Sequence, residues 1–159
     1  MNWRDLEAAA PGLARLGRAR LDETRVALLG TLRRDGSPRI SPVEPYLVAG
    51  ELLFGAMAWS LKARDLARDP RCVLHSAVSA PDAAEGELRL YGRAVEVRDR
   101  ELREARRDAW WIGHPSEARV CALDIEQATF ISWDLRRGEM TVRRWSPERG
   151  STERTRSYP

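Results

Sequence analysis

The strongest constraint on the fold of this chain is a series of short apolar segments separated by turn residues. Residues 25–32 form one apolar run, and the Asp35-Gly36 step after it is a strong turn signal. We therefore predict that 39–47 pairs back on the first run as a β-hairpin. A second turn at Ala49-Gly50 predicts a third antiparallel strand over 51–58.

Later segments repeat this pattern. Further strands are predicted at 71–77, 87–97, 120–125, 129–133 and 140–145. Helices are predicted at about 2–10, 13–22, 60–69 and 99–112. About seven strands with three or four short helices predict a mainly β (α+β) fold, a small antiparallel barrel with peripheral helices.

Length and composition favour one domain. The chain has 159 residues, 43% of them apolar, which is enough to bury a core. We predict a single domain over 1–146, with N-terminal helices in 1–22, and a flexible polar tail over 147–159. No apolar run is long enough to span a bilayer, and no secretory segment is evident, so a cytoplasmic protein is expected. The formal net charge of +3 comes from 27 basic and 24 acidic residues, which does not favour a nucleic-acid partner.

The sequence motifs of several common nucleotide-binding and hydrolase classes are absent. The sequence has no Gly-x-Gly-x-x-Gly, no Walker loop and no Gly-x-Ser-x-Gly. His75 and Cys72 are three residues apart on a predicted strand, which points them to opposite faces, so no metal site is expected. With only two histidines for acid/base work near neutral pH, an enzyme of this sequence would depend on a cofactor.

Lys62 is the only lysine among the 27 basic residues. Ser60 is predicted to cap a helix, so Lys62 and Arg64 fall in the first turn, where the helix dipole favours anions over cations. A bound phosphate would resolve this conflict, because free N–H groups, a hydroxyl and an ammonium together bind anions. The alternative is a surface helix with an incidental lysine.

The order of these segments resembles the pyridoxamine 5′-phosphate oxidase family. The resemblance covers about 25–145 and includes Asp35-Gly36-Ser37-Pro38-Arg39-Ile40-Ser41-Pro42-Val43, Ser60-Leu61-Lys62 and Leu90-Tyr91-Gly92-Arg93. It implies a split β-barrel homodimer that binds FMN, or in some branches a deazaflavin coenzyme or haem, at the subunit interface. It also implies a small-molecule substrate, which the sequence does not identify. The implied function is that of an FMN-dependent oxidoreductase; a deazaflavin-dependent reductase and a non-catalytic flavin or haem carrier are the alternatives.

The resemblance also implies cofactor-binding positions, while it leaves catalytic residues unassigned. These positions are Arg39, Ile40, Ser41, Val43, Ala56, Met57, Ser60, Lys62, Glu87, Trp133 and Arg143, with Arg144 as the alternative to Arg143. Trp133 and the arginine are expected to reach the cofactor of the partner subunit. Two departures from the family stand out: 140–145 has no His to form the Arg-x-His pair of the oxidases, and Glu87 replaces a polar amide.

Overall fold

The computed structural model describes residues 1–78, 86–109 and 118–157, and in 106–109 the backbone alone. In chain order the elements are α1 (Trp3–Ala9), α2 (Pro11–Thr24), β1 (Ala27–Leu32), β2 (Pro38–Val43), β3 (Tyr46–Val48), β4 (Glu51–Met57), α3 (Leu61–Arg68), β5 (Arg71–Ser76), β6 (Glu87–Glu96), α4 (Arg100–Ala109), β7 (Ala118–Asp134), β8 (Glu139–Ser146) and β9 (Gly150–Ser157). The predicted antiparallel, mainly β fold is confirmed.

The nine strands of the described residues belong to one sheet in which every pairing is antiparallel. Seven of them follow the order β2-β1-β5-β6-β7-β4-β3. The first hairpin forms as predicted, and Leu32 is opposite Pro38 across the Asp35-Gly36 turn. Gly36 has a φ of 83°, a conformation that glycine adopts at little cost. β8 pairs with the end of β7, and β9 pairs with β8.

β7 organises the sheet because three strands pair with different parts of its 17 residues. Its start pairs with β4, its middle with β6, and its end with β8. The register against β6 shifts between Tyr91 and Gly92. A Cβ on Gly92 would lie 2.0 Å from the Asp124 carbonyl oxygen, so this irregular pairing requires glycine.

The core lies inside the curled sheet and is closed by the N-terminal helices. Leu29, Phe54, Leu74 and Leu90 have no exposed surface. Helix α1 has an Asn2–Asp5 capping box and adds Trp3 and Leu6 to the same cluster.

Four segments differ from the sequence prediction. The predicted strand over 39–47 is split into β2 and β3 around Pro45, which has no N–H to donate to a ladder. The two strands predicted at 120–125 and 129–133 are one strand, β7. The tail does not lack regular structure, because Gly150–Ser157 pairs with β8 along its whole length. The segment is polar and fully exposed, so it had no apolar alternation to signal a strand.

Helix α4 confirms part of the fourth predicted helix, and residues 110–112 at its predicted end lie outside the described residues. In the part of the chain that the structure describes, no helix is both long and apolar enough to cross a membrane.

Candidate functional site

Helix α3 begins as the sequence predicts and presents Lys62 beside β2. The Ser60 hydroxyl oxygen accepts a hydrogen bond from the Ala63 N–H at 3.3 Å, which makes Ser60 the N-cap. The Lys62 ammonium donates to the Pro42 carbonyl oxygen at 2.6 Å. Burial lowers the pKa of Lys62, and the opposing attraction of Glu44 does not fully offset it. An anion near this ammonium would favour its charged form.

Arg39 is fixed by a buried carboxylate that sequence reasoning missed. Its Nε lies 2.7 Å from Asp65 Oδ2, and the Thr31 hydroxyl donates to the same oxygen at 3.1 Å. Arg68 approaches the other carboxylate oxygen at 3.4 Å. Burial alone would raise the pKa of Asp65, but the hydrogen bonds from Arg39 and Thr31 outweigh it and the pKa is lowered. The Asp65 carboxylate therefore links α3, β1 and β2 and orients the Arg39 guanidinium.

Two adjacent cavities lie along β2. The larger, about 460 Å³, is lined by residues of the β1–β2 turn, β2 and the start of α3: Arg33, Arg39, Ile40, Ser41, Pro42, Trp59, Ser60, Leu61 and Lys62. We call it the cationic cavity, because its described lining has three basic side chains and no acidic one. Its charge and its hydrogen-bond donors suit a phosphate group.

The second cavity, about 200 Å³, lies between the end of β2 and β4. Its lining is mostly apolar: Val26, Pro42, Val43, Glu44, Gly55, Ala56, Met57 and Lys62. We call it the apolar cavity. Pro42 and Lys62 line both cavities, so the two adjoin. β2 is at one end of the sheet order and β4 is near the other, so curling of the sheet creates this gap.

The structure brings eight of the eleven predicted site residues to these cavities. Arg39, Ile40, Ser41, Ser60 and Lys62 line the cationic cavity, and Val43, Ala56 and Met57 line the apolar one. Their role in binding a cofactor stays a prediction.

Glu87 is not among the described residues that line either cavity, and it forms a polar cluster on β5 and β6. Its carboxylate is paired with the Arg89 guanidinium and lies 3.6 Å from His75 Nε2. Arg89 Nε also lies 3.3 Å from His75 Nε2, and His75 Nδ1 is 2.7 Å from the Ser76 carbonyl oxygen. His75 is opposite Leu28, which is opposite Pro42, so the cluster lies two strands from the cavities.

Trp133 and Arg143 lie at the other end of the sheet, where β7 pairs with β8. Arg143 donates to the Ser132 hydroxyl at 3.2 Å, and its Nε is 3.0 Å from Glu153 of β9. The register places Trp133, Val142 and Arg144 on one face and Arg143 on the opposite face, the face that also carries buried Phe130 and Trp145. Trp133 and Arg143 are not among the described residues that line the cationic cavity or the apolar cavity.

Sequence reasoning missed several residues that line or support the cavities, among them Arg33, Glu44, Trp59 and Asp65. Glu44 directly follows the predicted site segment 39–43, so its position in the sequence could have identified it as a cavity residue. The sequence did not indicate that Asp65 is buried, because an acidic residue in a short helix usually faces solvent. In the described residues no group of His, Cys, Asp and Glu side chains is arranged to hold a metal ion.

Comparison with known proteins identifies the family to which this chain belongs. The family model described as pyridoxamine 5′-phosphate oxidase matches residues 16–130. The chain belongs to this family, and its fold is the family's split barrel. Comparison with curated proteins gives no match.

Solved structures share the fold at low sequence identity. PhzG from Burkholderia lata, solved with tetrahydrophenazine-1-carboxylic acid, is 14% identical with a TM-score of 0.65, covering 98% of this chain and 93% of that one. A pyridoxamine 5′-phosphate oxidase-related, FMN-binding protein from Nostoc punctiforme is 15% identical with a TM-score of 0.63, and the coverages are 93% and 96%. A heme binding protein from Mycobacterium smegmatis is 18% identical with a TM-score of 0.62, and the coverages are 90% and 88%.

Proposed function

We propose that this protein is an FMN-dependent oxidoreductase that works as a homodimer on a small-molecule substrate. The observation that carries the proposal is the adjacency of the two cavities, which share Lys62. FMN has a phosphate at one end and a flat, mostly apolar ring at the other. The cationic cavity suits the first and the apolar cavity suits the second.

Different residues of this chain would bind different parts of FMN. Lys62 and the Ser60 hydroxyl would hold the phosphate together with the free N–H groups of α3. Arg39 keeps a fixed orientation because Asp65 holds it, so little side-chain entropy is lost when a ligand binds. Gly55 and Ala56 leave room for a ring beside β4. Bound FMN would supply hydride transfer, while the protein supplies position, charge and exclusion of water.

Exposed apolar side chains around the cavities support a homodimer. Ile40, Trp59 and Leu61 are 70%, 69% and 54% exposed, and all three line the cationic cavity. A cluster of this kind marks an interaction surface. A second chain on this face would cover it, and its β7–β8 hairpin would bring Trp133 to the site together with Arg144, which lies on the same face of the sheet. The FMN-binding relative from Nostoc punctiforme adds weight to the choice of cofactor.

The visible spectrum of the purified protein, combined with light scattering, tests this proposal. A flavin spectrum in a dimer is expected. A deazaflavin spectrum would point to a reductase of that class, and a Soret band would point to a haem carrier like the Mycobacterium smegmatis relative. A colourless protein that does not bind added FMN would overturn the proposal.

A further inference from the structure

The two faces of the ribbon formed by the end of β7, β8 and β9 differ in charge. Residues that are directly opposite each other in an antiparallel pair share a face, so the register assigns each side chain to one face. One face consists of three rows across the ribbon: Trp133–Met140–Arg156, Ile131–Val142–Arg154 and Thr129–Arg144–Thr152. We call it the arginine face, because these rows contain three arginines and no acidic residue.

The opposite face of the ribbon has the reverse composition. Asp134, Glu139 and Glu153 lie there. The one arginine in the same rows, Arg143, pairs with Glu153. Trp145 on this face is buried in the core of the chain. The arginine face therefore points away from the core of its own chain.

The three arginines of the arginine face are exposed and close together. In the part of the chain that the structure describes, Arg144, Arg154 and Arg156 form no ion pair. Arg154 and Arg156 are two residues apart on β9, and Arg144 is the diagonal neighbour of Arg154, so their Cα atoms are about 7 Å apart. Glu87 of β6 continues one of the rows, but its carboxylate is already paired with Arg89. One anion could therefore contact more than one free guanidinium.

Apolar side chains accompany these charges. The row of Trp133 and the row of Ile131 each place two apolar side chains beside one arginine. The four apolar side chains are half-buried, so part of their surface faces solvent. Neighbouring strands are about 4.8 Å apart, which lets one small molecule cover an apolar side chain and reach a guanidinium. The combination suits a ligand that has both an apolar ring or chain and a negative charge.

The proposed homodimer would bring this face to the flavin site. Trp133 and Arg144 are expected to reach the partner's cofactor, and Arg154 and Arg156 lie on the same face beside them. The FMN phosphate would be held by the cationic cavity, which has basic residues of its own. Covering further unpaired guanidinium groups costs free energy unless an anion accompanies them. FMN alone does not supply that second anion.

We propose that the arginine face binds the substrate of the proposed flavin enzyme, and that this substrate is a carboxylate or a phosphate joined to an apolar group. Arg154 and Arg156 select for its charge. The inference rests on the proposed function, because it places the substrate beside FMN in the partner subunit's site.

The test measures the binding of small probes to FMN-loaded wild-type protein by isothermal titration calorimetry, in a buffer free of phosphate and sulfate. Benzoate and phenyl phosphate are aromatic anions, and benzamide is the neutral analogue of benzoate. We expect the tighter-binding anion to have an affinity at least about tenfold higher than that of benzamide. That anion identifies the substrate as a carboxylate or a phosphate. Inorganic phosphate, which has no ring, should bind more weakly than phenyl phosphate.

Arg154→Gln and Arg156→Gln should each weaken binding of this anion about tenfold, because each removes a charge-assisted hydrogen bond. FMN binding should not change. Arg149→Gln is the matched control, since Arg149 is an exposed cation in the turn between β8 and β9, outside the three rows. It should bind every probe as the wild-type protein does.

Two results would overturn the inference alone while FMN remains bound. One is an equal affinity of the wild-type protein for the anions and for benzamide. The other is an unchanged affinity in Arg154→Gln and Arg156→Gln, or a loss that Arg149→Gln shares. Failure of the wild-type protein to bind FMN would instead refute the proposed function, and this inference with it.

Discussion

The cavity region and the β7–β8–β9 region, which carries Trp133 and Arg143, hold the predicted site residues in contrasting ways. Around the cavities, β1, β2 and α3 are tied by the buried Asp65, which accepts hydrogen bonds from Arg39 and Thr31. On the hairpin, Arg143 pairs with Glu153, whose side chain is 58% exposed. The first arrangement is built within one chain, whereas Trp133 and Arg143 are not among the described residues that line the cationic or the apolar cavity. From this contrast we expect the phosphate end of the proposed flavin site to be formed within one chain and the other end to require a second subunit.

The largest expected effect concerns Asp65. We expect Asp65→Ala to lower the free energy of unfolding by about 3 kcal/mol, because it leaves the partly buried Arg39 charge and the Thr31 hydroxyl without their shared acceptor. Glu153→Ala, which removes the exposed hairpin partner, should change it by no more than about 1 kcal/mol. Urea denaturation of both variants measures the difference, and equal losses would show that the two regions do not differ in this way.

Lys62→Ala tests the cavity region as a phosphate site. Loss of a charge-assisted hydrogen bond should weaken FMN binding by about 1.5 to 3 kcal/mol, roughly 10- to 100-fold, measured by fluorescence titration. Stability should change by less than about 1 kcal/mol, because burial already disfavours this cation. Arg64→Ala is the control, since Arg64 is an exposed cation of the same helix that lines neither cavity. A wild-type affinity in Lys62→Ala would remove the phosphate assignment.

A mixing experiment tests whether the hairpin serves the partner subunit. If each flavin site uses both chains, equal amounts of Lys62→Ala and Trp133→Ala protein should regain about a quarter of the sites, because half of the dimers are mixed and each has one intact site. Refolding the two variants together and titrating FMN gives the recovered fraction. Each variant refolded alone is the control. No recovery in demonstrated mixed dimers would assign Trp133 to the site of its own chain or to none.

The smallest expected difference between the two regions is in how the free energy of unfolding depends on pH. The folded pKa of Asp65 lies below its unfolded value, which is about 3.9. Its contribution is therefore fully present above about pH 4 and is lost as the pH falls through the folded pKa. Asp65→Asn should unfold with a shallower dependence on pH in this acid range than the wild-type protein, measured by urea denaturation at a series of pH values. Glu153→Gln should follow the wild-type curve closely.

The sequence alone predicted most of the local elements and the position of Lys62 at the start of a helix. The Asp35-Gly36 turn set the first hairpin, and the Ser60 cap placed Lys62 in the first turn of α3, since both signals act over a few residues. Resemblance to the family supplied the further positions on β2 and β4.

Tertiary structure decided which distant groups meet. Curling of the sheet brings β2 beside β4 and creates the apolar cavity that includes Glu44, and no local pattern encodes that approach. Burial of Asp65 beneath Arg39 depends on the packing of α3 against β1 and β2. β9 formed from a segment without apolar alternation, because backbone hydrogen bonds to β8 were available there. Local propensity acts through neighbours in sequence, whereas these three features depend on contacts between residues far apart in the chain.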